Sequence, residues 1–175
     1  ILLIDKNHIF QSLDELFKLQ KHIGSQNLSN SNPSLDLANF LSDIPLIYYP
    51  YGLQSSAIRF KSSIQENAKT HAIIEDVVEA SHNGIVAWEK PSIIQPILLR
   101  GYNDFIKTSE RFEIIKAFFI KNNIEFKEIN SISGNILTKL ITLTYLLDYT
   151  SIYRAILSEI DPSPVSSIDF IKSKI

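Results

Sequence analysis

Three short segments of this chain combine side chains that can move a proton or meet an anion with turns that could aim them. The first is Ser62-Ser63-Ile64-Gln65-Glu66-Asn67-Ala68-Lys69, read as a helix end running into a strand. A carboxylate at such a corner, Glu66 between Asn67 and Lys69, can be pointed into a cleft and held by nearby donors. A general base needs that aim before it needs a tuned pKa. The second is Glu79-Ala80-Ser81-His82-Asn83-Gly84-Ile85-Val86-Ala87-Trp88. Here the imidazole of His82 could shuttle protons, with Ser81 placed to cap a short apolar helix. The third is the tail from Asp161-Pro162-Ser163-Pro164-Val165 to Lys172, whose ammonium could meet an anionic substrate. Taken one at a time, plainer readings are favoured: a solvated glutamate, a helix-start histidine with a capping role, and a solubilising terminal lysine. Ser55-Ser56 after Tyr51-Gly52 could cradle a phosphate at a helix N-terminus, but the turn lacks a glycine-rich phosphate fingerprint.

The elements that must position these groups follow from periodicity. Residues 5–23 carry Ile9, Leu13, Leu16, Phe17 and Leu19 at near-helical spacing, which predicts an amphipathic helix ended by Gly24. Gln26–Asn32 has the Ser/Asn-rich character of a linker, and Pro33-Ser34 starts a short helix to about Leu41. Ile44–Tyr49, His71–Ile74, Pro96–Leu99 and Ile124–Ile129 read as strands, the second leading into Glu75 and Asp76. Helices are predicted through Ala57, Ile58, Phe60 and Ile64, over Phe105–Ile120, and from about Gly134 to Ile160. The last is apolar almost all round and should be largely buried. Asp161-Pro162 stops it, and Val165–Ile175 reads as a terminal arm. Strands alternating with helices predict an α/β fold with a parallel sheet of four or five strands, covered on both faces. A ligand is then expected at the carboxyl ends of the strands, near Tyr49–Ser56 and Glu75–Trp88, with Glu66 and His82 close to those ends.

Composition narrows the function classes. The chain has 175 residues, 45% of them hydrophobic, and a formal net charge of −2. One domain with an appended arm is the natural expectation, and a domain of this size buries roughly 70% of its extended-chain surface. No basic excess points to nucleic acid or to an anionic membrane. Cysteine is absent, which removes disulfides and thiolate chemistry, and the four histidines show no zinc-ligand spacing. No apolar run approaches the roughly 18–20 residues of a membrane span, and residues 1–5 do not read as a signal peptide. Methionine is absent even at position 1, so the sequence is expected to be an excised fragment rather than to start at an initiation site.

Ordered along the chain, Ile44-Pro45-Leu46-Ile47-Tyr48, Arg59-Phe60-Lys61, Gln65-Glu66-Asn67-Ala68-Lys69 and His82-Asn83-Gly84-Ile85-Val86-Ala87-Trp88 share a wording. Pro96-Ile97-Leu98-Leu99-Arg100, Leu146-Leu147-Asp148-Tyr149 and Asp161-Pro162-Ser163-Pro164-Val165 continue it. Together they resemble the C-terminal domain of the bifunctional phosphoglucose/phosphomannose isomerase family, over nearly the whole span from Asn32 onward. The resemblance implies a three-layer α/β/α sugar-isomerase (SIS) domain with a flavodoxin-like parallel sheet over 32–175. Residues 1–31 would then be a helical connecting arm from a preceding SIS domain. It implies a cytoplasmic, homodimeric enzyme of glycolysis and gluconeogenesis that interconverts glucose or mannose 6-phosphate with fructose 6-phosphate. No cofactor or metal would be used, because proton transfer through a cis-enediol does the work.

By the same resemblance Glu66 matches the carboxylate that carries the proton between C2 and C1. His82 matches a ring-opening histidine taken from the neighbouring subunit, and Lys172 matches a ring-opening lysine, with Lys174 the other candidate in a loose register. Ser163 stands where relatives often carry Thr and, with Asn67, is expected at the substrate. Arg59 is expected to be structural or a partner to the Glu66 end of its helix. The phosphate loop and an enediolate-stabilising arginine would belong to the preceding domain, so the substrate, that domain and a second subunit are the implied partners. Two other readings compete. A non-catalytic SIS regulatory module would bind sugar phosphate without needing the Glu66–His82 pair, and a dimerisation domain would use the long helix alone.

Overall fold

In the computed structural model, residues 5–175 are described. Helix α1 (Lys6–Ile23) starts at Asp5, whose carboxylate accepts the Asn7 N–H at 2.9 Å. Helix α2 (Pro33–Phe40) carries Pro at its first position, where a missing N–H costs nothing. Strand β1 (Ile44–Tyr49), helix α3 (Gln54–Asn67), strand β2 (Ile73–Asp76) and the single-turn α4 (Val77–Ala80) follow. A 3-10 helix over Gly84–Glu89 leads into β3 (Ile94–Arg100). Helix α5 (Ile106–Lys121), β4 (Lys127–Asn130), α6 (Ile136–Leu157) and α7 (Ser166–Lys172) complete the chain.

All pairings are parallel, in the order β2-β1-β3-β4, so the strand number expected from the sequence is met at four. Register is set by alternation: Ile47 and Tyr49 face one side of β1, Leu46 and Tyr48 the other. The first side packs against α2, α3 and α6 through Leu37, Phe60, Ile64, Leu143 and Leu147. The second packs against α4, Trp88 and α5 through Val77, Phe112, Ile115 and Phe119. The result is three layers with a core on each face of the sheet.

Some boundaries moved. Strand β2 begins at Ile73, β3 extends from Ile94 to Arg100, and β4 begins at Lys127, because Ile124 and Phe126 pack against the α5 core instead of joining the ladder. The predicted terminal arm holds the short helix α7. Helix α6 is packed by α1, α2 and α3 but leaves Ile141, Ile152 and Ile156 exposed, so it is less enclosed than its composition predicts. The segment read as an arm lies along α6: Ser12 and Thr138 share a hydrogen bond at 2.9 Å, and Ile23 is fully buried. The Ser/Asn-rich stretch closes on the buried Asn32, whose amide reaches Ile23 O at 3.1 Å and Asn27 O at 2.8 Å while its Oδ1 caps α2. Among the described residues no helix is long and apolar enough to cross a membrane.

Candidate active site

Helix α3 points Ala57, Phe60 and Ile64 into the core at i, i+3 and i+7, which turns Ser62, Gln65 and Glu66 outward at its far end. Its other flank meets α6 in a seam of polar bonds. Ser56 shares a hydrogen bond with Thr144 at 3.1 Å, Ser63 donates to Asp148 at 2.7 Å, and Asn67 donates to Ser151 at 2.7 Å. Arg59 grips the Asp148 carboxylate with Nε at 3.0 Å and Nη2 at 3.1 Å. Two of the segments behind the family resemblance, Arg59-Phe60-Lys61 and Leu146-Leu147-Asp148-Tyr149, are therefore the two sides of one contact. Asn67 and Ser56 are committed to this seam. Arg59 takes Asp148 as its partner, so the structural part of its expected role is the one realised.

The seam fixes where α3 ends, and there the chain opens a cavity of about 580 Å³. Glu66, Ser62 and Lys69 form one side, and Asp161, Pro164 and the first residues of α7 form the other. Lys69 spans the gap by donating to the carbonyl oxygens of Pro164 at 2.7 Å and Pro162 at 3.3 Å. It also donates to Glu66 O at 2.6 Å. Ser163 sits exposed in the same segment, its N–H donated to Asp161 at 2.9 Å. That bond is the main reason the Asp161 carboxyl lies below its ordinary range. Lys172 is exposed on α7 beyond the residues that line the cavity.

His82 is elsewhere. Helix α3 starts after the carboxyl end of β1 and runs back to the start of β2, so Glu66 lies at the amino end of the sheet. His82 follows α4 directly after the carboxyl end of β2. A helix of this length spans on the order of 20 Å, so the two groups do not meet within one chain. The expectation that both lie near strand carboxyl ends thus holds for His82 and fails for Glu66. A right-handed β-α-β unit must return its helix to the amino end.

The His82 turn is built on half-buried polar groups. Asp76 Oδ1 caps α4 through the Val78 N–H at 2.8 Å, and Ser81 donates to Val77 O at 2.6 Å. Ser81 therefore closes α4 at its C-terminal end instead of capping the next helix as predicted. Beneath the turn the Glu75 carboxylate lies so close to Gly84 that a Cβ at that position would collide with it. Burial raises the Glu75 carboxyl above its ordinary range. On the neighbouring strand Tyr48 pairs in register with Glu75 and accepts the Trp88 Nε1–H at 2.8 Å. Burial pushes the Tyr48 phenol up to about 12, with the Trp88 bond opposing.

Sequence reasoning named Lys69 only as a neighbour of Glu66. Its acceptors are main-chain carbonyls, which carry no side-chain signature. Glu75 was read as a strand end, though an acidic residue closing an apolar strand is a signal in its own right.

Residues 30–175 match the family described as the bacterial phospho-glucose isomerase C-terminal SIS domain. The chain is 34% identical over 138 residues to a bifunctional phosphoglucose/phosphomannose isomerase of Caldicellulosiruptor bescii, covering 75% of this chain and 40% of that protein. It is 25% identical over 166 residues to a protein of the same name from Aquifex aeolicus, covering 93% and 52%. Among solved structures, a glucose-6-phosphate isomerase like protein from Thermus thermophilus superposes with a TM-score of 0.69 at 20% identity, over 88% of this chain and 52% of that one. The chain thus spans about half the length of the curated relatives it matches.

Proposed function

From the premise that the chain belongs to the bacterial phospho-glucose isomerase C-terminal SIS domain family, we propose that it is the catalytic-carboxylate half of a hexose 6-phosphate isomerase. Its substrates are glucose or mannose 6-phosphate and fructose 6-phosphate. Glu66 removes the C2 proton of the open-chain aldose and returns it at C1 through a cis-enediol, so one carboxylate serves as base and then as acid. Lys172 and His82 assist ring opening, and Ser163 meets the sugar. The observation that carries this reading is the cavity at the α3 end, which brings the Glu66 segment against the Asp161–Val165 segment from the far end of the chain. The separation of Glu66 from His82 favours a site completed by a second copy, which offers its His82 turn to the Glu66 cavity of the first.

The other half of the site belongs to a companion SIS domain, which supplies the phosphate-binding loop. Leu13 and Phe17 on α1, exposed beside Tyr145 of α6, together with the exposed Phe10 of the same helix, give such a companion an apolar surface to cover. The assembled protein acts in the cytoplasm and needs no metal for proton transfer. The test is turnover of fructose 6-phosphate to glucose 6-phosphate. The 175-residue chain alone should be inactive, and the two-domain protein active with chelator present. Robust turnover by the isolated chain, or loss of the two-domain activity with chelator, would refute the reading.

A further inference from the structure

The carboxyl-terminal segment is held to the rest of the molecule in an unusual way. Among the described residues, the hydrogen bonds that tie 161–175 to the preceding fold are the two from Lys69, to Pro162 O at 3.3 Å and Pro164 O at 2.7 Å. Every other hydrogen bond described for that segment is internal to it, such as Ser163 N–H to Asp161 and Ile168 N–H to Val165 O. None of the ion pairs described reaches it, and α7 buries no residue.

Lys69 itself has a left-handed backbone, φ 55°, at the first position beyond the α3 cap. Glycine is the usual residue there, because it takes that conformation without steric cost. What the lysine adds is an ammonium with three donors and no acceptor. All three are engaged, the third on Glu66 O at 2.6 Å, a carbonyl of the last helical turn that lacks an intrahelical partner. With no donor to spare, this ammonium is not a ligand for a substrate anion even though it lines the cavity.

We propose that Lys69 is a positioning residue. Its ammonium clips the Asp161–Val165 strap to the end of α3, which sets the cavity wall facing Glu66 and the point from which α7 carries Lys172. The positioning role rests on the reading of that cavity as the isomerase site; the clip itself does not. Without the clip, a seven-residue α7 with no buried face has little reason to persist, since isolated helices this short are marginal in water.

Hydrogen exchange on the 175-residue chain tests the clip. In Lys69→Gly the left-handed backbone is relieved while the ammonium is lost, so misfolding at this corner is not the cause of any change. The Ile168 and Asp169 amides should exchange about tenfold faster or more, while Ala68 and the α6 amides keep their protection. Lys69→Met should do the same, and Lys69→Arg, which keeps charge and donors, should recover part of the protection. Kinetics on the two-domain protein test the positioning. Lys69→Gly should lower kcat/KM for fructose 6-phosphate by about 10–100-fold, as expected when reacting groups are displaced by around an ångström, and Lys69→Arg should restore part of it. Unchanged exchange in both the Gly and Met variants would overturn the clip. A freed strap with unchanged kcat/KM would overturn the positioning role.

Discussion

Glu66 stands at the end of a helix that Arg59, Ser63 and Asn67 bind to α6 along its length, beside a cavity whose second wall is hydrogen-bonded across to it. His82 stands on an exposed turn after one turn of helix, supported from below by Glu75, Tyr48 and Trp88 but with no hydrogen bond described for its imidazole. The helix end that carries Glu66 is fixed by its own chain, although the Glu66 carboxylate, like the imidazole, has no hydrogen bond described. His82 lies on an outward turn with no cavity of its own described around it. The difference teaches that one chain can wall in one candidate group with a cavity of its own and leave another on an open turn.

Three experiments sharpen or break that contrast. The largest effect should come from Glu66→Gln in the two-domain protein, which keeps shape but removes the base. C2 deuterium exchange and net isomerisation should both fall about 10²–10⁴-fold. Exchange at the parent rate would show that Glu66 is a solvated helix-end residue. His82→Ala should cost less, about 10–100-fold in net isomerisation, and less again with substrate already open-chain. Mixing Glu66→Gln with His82→Ala subunits should restore part of the activity if the two ends meet across a dimer, and none if each chain completes its own site.

The base under His82 predicts smaller, purely structural effects. Tyr48→Phe leaves the buried Trp88 N–H without its acceptor, for a cost of about 1–3 kcal/mol in urea unfolding followed by the single tryptophan. The same pair gives a pH dependence. A phenol raised to about 12 in the fold stabilises below the unfolded value near 10, and that stability is lost as pH rises from about 10 toward 12. Unfolding at about pH 11 should therefore need less urea than at about pH 8, with a smaller difference in Tyr48→Phe. Equal differences would show that Tyr48 does not drive it. The smallest effect should be Gly84→Ala, which forces the flexible Glu75 carboxyl group aside at a cost of about 1 kcal/mol or less. Adding Glu75→Ala should remove that cost, and a strictly additive double mutant would mean the two do not touch.

The element order was legible in the sequence because each element writes its own period: Ile44–Tyr49 as an apolar run, α1 by its spaced Leu and Phe, α2 by Pro33. The Glu66 segment was also legible as a helix corner. Its placement at the amino end of the sheet was available from β-α-β geometry, since a helix between parallel strands must return, yet the rule that ligands sit at strand carboxyl ends drew both candidate residues there. The Ser/Asn-rich stretch is the connection between α1 and α2 that its composition suggests, but composition reports only polarity, and Asn32 spends its polarity inside the fold on Ile23, Asn27 and the α2 cap.

Local pattern determined the parallel α/β architecture, the family resemblance and the short list of groups able to move protons, because periodicity and residue chemistry are properties of neighbouring positions. Tertiary structure decided that Asp148 and not Glu66 takes Arg59, that Asn67 answers to Ser151, and that Lys69 holds the chain's last segment through two proline carbonyls. Those partners lie 84–95 residues apart in sequence, and the decisive acceptors of Lys69 are backbone oxygens. Every residue carries such an oxygen, so only the folded path of the chain can select which ones meet a cation.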